Sequence, residues 1–236
     1  MSKKIIFKPS IPEEYLAGNV PVPAVKAIPE WFKKFGRYKG GSKKIEHYAD
    51  GNQNTTIKAC PPIMDAFSTG YIITLRSDIF VRNENDEIFV TWSYGTPEFV
   101  SNHHQDQVPD ALVPEYCNPK PFKFENAWSM ILPKGYSALI THPFNRNDLP
   151  FLTLSGVVDL DGYHNTVNLP FLFKKNASGI IPAGTPIAQV FPFKREAWQH
   201  SIEEHDPKFT QAQFSKVKSK IEKGYKLLDW NRKDFK

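Results

Sequence analysis

Between Thr55 and about Phe193 the apolar residues fall in short runs, not long stripes. β-Branched and aromatic residues gather at Thr55–Ala59, Tyr71–Arg76, Ile79–Arg82, Ile88–Trp92, Ala127–Ile131 and Ser137–Thr141. They gather again at Leu152–Asp159, Thr166–Phe173, Gly179–Ile181 and Ile187–Phe191. Pro, Gly, Asn and Asp clusters separate the runs, among them the turn Asn83-Glu84-Asn85-Asp86. This is the pattern of an all-β sandwich or barrel over residues 55–195. Val100–Pro121 holds four prolines and reads as a long irregular insertion, a place where function often sits.

The two ends follow other rules. Residues 1–54 read as an extended N-terminal arm punctuated by Pro9, Pro12, Pro21, Pro23 and Pro29. Pro29 can open a one-turn helix, with Trp31, Phe32 and Phe35 burying one side of it. Gly36 to Asn54 reads as loop. Residues 196–236 are expected to be helical: Thr210-Gln211-Ala212-Gln213 has capping-box form, and Phe214, Val217, Ile221, Tyr225 and Leu228 make one apolar stripe. Such a stripe packs on the β body or on a neighbouring subunit.

Composition sharpens this picture. Twenty prolines and eighteen phenylalanines against three methionines fit many short segments around an aromatic core, and fit a helical bundle poorly. Tyr71, Trp92, Tyr94 and Trp128 are expected in that core. At 236 residues, 40% apolar and 23% charged, the chain suits one domain with appendages and excludes wholesale disorder. No apolar run approaches the ~20 residues of a membrane span. The N-terminus is charged again by Lys8, which leaves no secretory h-region, so a cytoplasmic location and no membrane partner are expected. Cys60 and Cys117 lie far apart, against a disulfide scaffold or a cysteine zinc site.

Net charge is +5, but residues 207–236 carry +6 and the remainder about −1. The basic character belongs to one appendage, so nucleic acid is not an expected partner of the body.

Three stretches stand out for chemistry: Leu132–Ile140 with its Pro-x-Gly, Leu154–Asp161 with Gly156-Val157-Val158-Asp159, and Ile181–Val190 with Pro182-x-Gly184-x-x-Ile187-Ala188-Gln189. Their order resembles the dUTPase and dCTP-deaminase superfamily over about a quarter of the chain. The resemblance implies a mainly β, β-clip body that assembles as a trimer or dimer. It implies Asp159 as the water-positioning catalytic aspartate, Gln189 beside a nucleotide, and Tyr163, one position late, as the base-stacking tyrosine. Mg²⁺ is the cofactor implied if a nucleotide is bound, since phosphate charge is neutralised by N–H groups, Arg/Lys and metal. The chain departs from the family where Thr141-His142-Pro143-Phe144-Asn145-Arg146 replaces a Pro-Arg-Ser-Gly phosphate segment, and where a lysine-striped helix replaces the glycine-rich closing arm. Arg146, Lys174, Lys175 and Arg195 are the cations left for phosphate.

A second resemblance is to an uncharacterised family common in tailed-phage genomes and scattered bacteria. It is carried by Gly135-Tyr136, Pro143-x-Asn145-Arg146, Gly156-x-Val158-x-x-Asp161, Gly184-x-Pro186 and Pro192-x-x-Arg195. It implies a phage source, hence a host cytoplasm or a virion.

Histidines supply another constellation. His104-Gln105-Asp106 is an H-x-D that, with His142 or His164, has the donor types of a facial Fe(II) oxygenase site, Arg146 then holding a 2-oxo acid. His142–Arg146 is either an anion site or a turn whose arginine pairs with Asp148 or Asp159. Asp159 and Asp161 alternate on one side of a strand end, which makes either a cation or water-activation site or a solvated terminus.

Three functions follow from these readings. The first is a phage-encoded small-ligand or nucleotide-binding protein with a pocket of Asp159, Asp161, His142, Asn145, Arg146 and Gln189. The second is a non-enzymatic virion, assembly or host-protein-binding protein. The third is an Fe(II)-dependent oxygenase.

Overall fold

Alternation of apolar and polar residues over short spans yields antiparallel β-structure throughout the middle of the chain. The computed structural model describes residues 3–50, 52–85, 87–93, 97–218 and 224–236. The expected core residue Tyr94 and the turn residue Asp86 lie outside these. The elements are β1 (Ile6–Pro9), β2 (Val22–Pro23), α1 (Glu30–Lys34), α2 (Pro61–Ser68), β3 (Tyr71–Thr74), β4 (Ile79–Glu84), β5 (Glu87–Trp92) and β6 (Val100–Asn102). There follow β7 (Cys117–Phe124), β8 (Trp128–Ile131), β9 (Tyr136–Thr141), β10 (Phe151–Thr153), β11 (Gly156–Val158) and β12 (Leu169–Lys174). Last come β13 (Gly179–Ile181), β14 (Pro186–Lys194), α3 (Pro207–Lys218) and α4 (Gly224–Leu228).

The strands form sheets of order β1-β8, β10-β12-β7-β6, β11-β9-β14-β3-β2 and β13-β4-β5. The fold class is mainly β. Residues cluster into two compact units, one of Met1–Ala27, Phe67–Arg195 and Phe235, the other of Ile28–Ala66, Glu196–Asp234 and Lys236. One division falls at 195/196. The N-terminal segment divides after Ala27, because β1 pairs with β8 and β2 with β3, which ties the residues before it into the sheets of the first unit.

In the first unit the core is aromatic. Phe171 stacks on Phe124 at 3.8 Å and meets Phe151 and Phe173 edge-on at 5.7 and 4.9 Å. Phe122 joins at 5.0 Å from Phe173. These five rings come from β7, β10 and β12, whose register sets Phe171 against Phe122 and Phe151 against Phe173 on one face. Edge and offset contacts of this kind add about 0.5–1.5 kcal/mol per pair beyond burial.

Several elements differ from the sequence reading, each for a local reason. Thr55–Ala59 is not a strand; Ile57–Ala59 is a 3-10 turn leading into α2, whose Pro61 and Pro62 occupy the first helical positions, where a missing N–H costs little. The run Leu152–Asp159 is two strands in different sheets: β10 pairs with β12 and β11 with β9, the chain crossing at Leu154-Ser155. Val100–Pro121 is not wholly irregular, since β6 and most of β7 lie in it. Strand β7 tolerates Pro119 because the ladder with β12 shifts register between Leu172 and Lys174. The side-chain Oδ1 of Asn118 there accepts the Lys120 N–H at 2.9 Å and closes the bulge.

At Gly70 (φ +80) a Cβ would stand 2.3 Å from the Val190 carbonyl oxygen, so only glycine lets the chain enter β3 against β14.

In the second unit the α3 cap lies four residues before the expected one, at Asp206 and not Thr210. Asp206 Oδ1 accepts the Lys208 and Phe209 N–H groups at 2.8 and 3.2 Å, and Pro207 takes the first turn. Of the expected stripe, Phe214 and Tyr225 are exposed, and Ile221 lies outside the described residues. The tail is fastened elsewhere: Trp230 Nε1 and Lys233 Nζ both donate to Asp65 Oδ2 on α2, at 2.9 and 2.7 Å. No helix among the described residues is long and apolar enough to cross a membrane.

Phe171→Ala is expected to destabilise the protein by about 3–5 kcal/mol, the usual cost of deleting a fully buried ring. Urea unfolding of the variant beside the parent checks this.

Candidate functional site

Strand β9 lies between β11 and β14 in the sheet that carries most of the candidates, and its register places them. On one side Val158 pairs with Ala138; on the other Lys194 pairs with Tyr136 and Gln189 with Thr141. Asp159 and Arg195, each one residue past a paired position, therefore converge on the start of β9.

There the side chains form a clasp. Arg195 Nη1 and Nη2 donate to Asp161 Oδ1 and Oδ2 at 3.0 and 2.5 Å, a bidentate fork. Nη1 also reaches Asp159 Oδ1 at 3.1 Å and the Ser137 hydroxyl at 2.9 Å. Ser137 Oγ donates to Asp159 Oδ1 at 2.5 Å. The Gly135 N–H donates to Asp161 Oδ2 at 2.7 Å, and the Arg195 N–H returns to the Gly135 carbonyl at 2.9 Å. Gly135 sits at φ +84 in the turn before β9, a conformation that suits glycine.

The electrostatics follow from the contacts. The Arg195 fork, with the Gly135 N–H behind it, lowers the Asp161 pKa to about 2, and Asp161 in turn raises that of the guanidinium. Asp161 is thus a fixed anion at neutral pH and has no role as a proton acceptor there. Its carboxylate is 11% exposed and that of Asp159 69%. This donor set does not suit Mg²⁺: both Asp161 oxygens are occupied, and a guanidinium already stands where the cation would bind.

The other candidates lie at the far end of β9. Four residues separate Ser137 from Thr141, about 13 Å along a strand. Gln189 is 1% exposed there, its Oε1 accepting the Phe144 N–H at 2.9 Å and its Nε2 donating to the Thr69 carbonyl at 2.7 Å. The amide braces the 142–146 turn against the chain entering β3. His142 Nε2 donates to the Arg146 carbonyl at 3.1 Å while Nδ1 accepts the Thr153 N–H at 3.2 Å. Those two contacts assign the neutral tautomer, and burial pushes the pKa below the ordinary imidazole value. Asn145 takes φ +59 at the turn. Arg146 forks onto Asp148 at 2.8 and 2.8 Å, which decides between its two expected partners.

The expected single pocket is therefore two places. Asp159 and Asp161 share the first with Arg195 and Ser137; His142, Asn145, Arg146 and Gln189 share the second. Tyr163 stays near the first through its N–H to the Asp159 carbonyl at 3.0 Å, but its hydroxyl turns to the Thr166 carbonyl at 3.3 Å. His104 and Asp106 are exposed and face each other at 3.4 Å. Neither His142 nor His164 joins them, and no cluster of three metal-ligating side chains occurs among the described residues. The iron triad is not assembled.

Arg195 and Ser137 are the residues whose importance the pattern understates. A signal for the first was present: Gly156-x-Val158-x-x-Asp161 and Pro192-x-x-Arg195 end in opposite charges.

Compared with known proteins, the chain matches no protein-family model and no curated protein.

Arg195→Ala and Asp161→Asn are each expected to lower the thermal midpoint by a few degrees, and the double variant little further, since both remove one coupled unit. Fully additive losses in calorimetry would contradict the clasp. The Asp161 contribution holds above pH 3.8 and disappears as pH falls through about 2. The His142 contribution acts in a different window. Its folded pKa lies below the unfolded 6.5, so stability is complete above 6.5 and declines as the medium acidifies. Thermal midpoints from about pH 7 to about pH 5 are expected to fall in the parent and to slope less in His142→Asn.

Proposed function

We propose that this chain is a non-enzymatic assembly protein that joins copies of itself through the segment leaving β14. The observation that carries this is the state of residues 196–206. They form neither helix nor strand and are exposed throughout, with Trp198 at 83% and Ile202 at 93% exposure. Single exposed apolar residues are ordinary, but a tryptophan and an isoleucine this bare on one short segment are not. Phe209, Phe214 and Leu227 continue the exposed apolar series into α3 and α4.

The acid, amide and imidazole candidates serve this reading as scaffold. Arg195 is the last residue before the exposed segment, and the two aspartates hold it. The clasp thus fixes where the segment leaves the sheet. Gln189 and His142 brace the other end of β9.

A β-clip relationship for the body belongs to the same proposal. It is supported by the three motif stretches pairing side by side as β9, β11 and β14, and β-clip bodies also serve as trimeric phage parts. The resemblance to a phage-borne family supports a place in a virion or in its assembly within the host cytoplasm.

Sedimentation tests the reading. The parent is expected to run as a dimer or trimer, and Trp198→Ala/Ile202→Ser as a monomer with an unchanged circular-dichroism spectrum and a thermal midpoint that no longer rises with protein concentration. A parent that stays monomeric at every concentration overturns it.

A further inference from the structure

The chain that leaves β3 takes a charge into the core of the first unit. Arg76 is 7% exposed. Its Nη2 donates to the Pro97 and Glu98 carbonyls at 2.7 and 2.9 Å, and its guanidinium lies over the Phe99 ring at 4.8 Å. These contacts fix the group and offset part of its lost hydration, but they bring no negative charge. Nε and Nη1 are buried and meet no acceptor, and no carboxylate among the described residues is paired with the group. Burial lowers its pKa from the ordinary arginine value. A buried lysine escapes such a position by shedding its proton, whereas a guanidinium keeps its charge. The result is a fixed buried cation with two idle donors.

The space beside it has a definite size and chemistry. Arg76 and Thr74 line a cavity of about 20 Å³, together with Glu125, Asn126 and apolar residues that include Phe99 and Ile187. The Thr74 hydroxyl is a second buried group without a partner. Asn126 accepts the Trp128 N–H on Oδ1 and donates from Nδ2 to the Trp128 carbonyl, at 3.1 and 2.8 Å, which leaves one amide hydrogen. The carboxylate of Glu125 is held by Lys123 at 3.0 Å and by the Ser101 hydroxyl at 2.5 Å. Glu98 lends its carbonyl to Arg76 and does not line the cavity. The side chains with spare capacity on this wall are a guanidinium, a hydroxyl and an amide N–H, and all three can donate.

We infer that the cavity is a site for a single halide ion, chloride being the common one, held between the Arg76 guanidinium and the Thr74 hydroxyl. Size and charge both point there. One water-sized body takes about 10–15 Å³ of such space, so the cavity suits a monatomic ion and excludes sulfate, phosphate and carboxylates. A water molecule would accept the idle N–H groups yet leave the cation uncompensated in a low-dielectric surrounding, where a countercharge counts most. A halide accepts several donors with no preferred direction, which suits groups that come from different positions along the chain. Seated there, the ion strengthens the link that Arg76 makes between the exit of β3 and residues 97–99. Occupancy is therefore read in the stability of the first unit.

Exchange of anions at constant ionic strength tests the site. The full-length protein starts in sodium gluconate, whose anion is too large for the cavity, and chloride replaces gluconate stepwise. The thermal midpoint is expected to rise by about 2–4 °C. The ³⁵Cl resonance is expected to broaden, and added bromide to narrow it again by competition. Arg76→Met keeps most of the side-chain length, removes the charge and is expected to lose both responses. Thr74→Val removes one donor that has no partner in the fold, and is expected to weaken the apparent chloride affinity about threefold or more. A parent whose midpoint and ³⁵Cl line are indifferent to chloride overturns the site. Broadening that survives unchanged in both variants reports ions on surface lysines and overturns it equally. If Arg76→Met does not fold, an unchanged affinity in Thr74→Val is sufficient to do so. The self-assembly reading stands or falls separately, since none of these residues lies in the segment 196–206.

Discussion

The register of β9 against β11 and β14 is the constraint on which the rest depends. Side chains on a strand have a period of two, so a one-residue slip would send Ser137 and Thr141 to the opposite face. With the register as it is, Asp159 and Asp161 meet Arg195 at one end of β9, and Gln189 meets the 142–146 turn at the other. The same alignment keeps Ala138 and Ile140 in the core. The interval of four residues between the two ends sets the two groups of polar side chains about 13 Å apart along the strand.

The clasp at the start of β9 is more than an exposed ion pair. Isolated surface pairs contribute little, because solvent screens them and two long side chains must be ordered. Here the guanidinium is planar and forks onto one carboxylate. A backbone N–H fixes that carboxylate from behind, and the arginine's own N–H is bonded to the same glycine. The geometry is thereby set by the backbone on both sides. A lysine would keep the charge and lose the fork. This arrangement suits a fixed point in a scaffold better than a reacting group.

Much of this was legible in the sequence, and the limits are physical. The β-rich runs of residues 71–92 and 127–193 were visible because β-branched and aromatic residues alternate between short breakers. Strand β7 was hidden by Pro119 and Pro121, which argue against a strand until a bulge is seen to absorb the first. Helix α2 was hidden by Pro61-Pro62, a pair that reads as a breaker yet also fits a first turn. The α3 cap was misplaced because Thr210-x-x-Gln213 has capping-box form, while Asp206-Pro207 does the work. The site failed at a different level. Local pattern identifies an aspartate or a glutamine at a strand position, but 34 residues separate Asp161 from Arg195, and no local signal gives the pairing of distant strands. Gln189 illustrates the cost: an amide in a central strand is as well suited to satisfying buried backbone groups as to holding a ligand.

The Asp65 tether has a consequence for the last residues of the chain. Trp230 and Lys233 converge on one carboxylate oxygen, so a single lost atom frees two side chains at once. Lys233 also lies over the Trp230 ring at 5.9 Å, which makes the three groups one knot and not two separate ties. A cut just before Trp230 would undo the whole knot in one step.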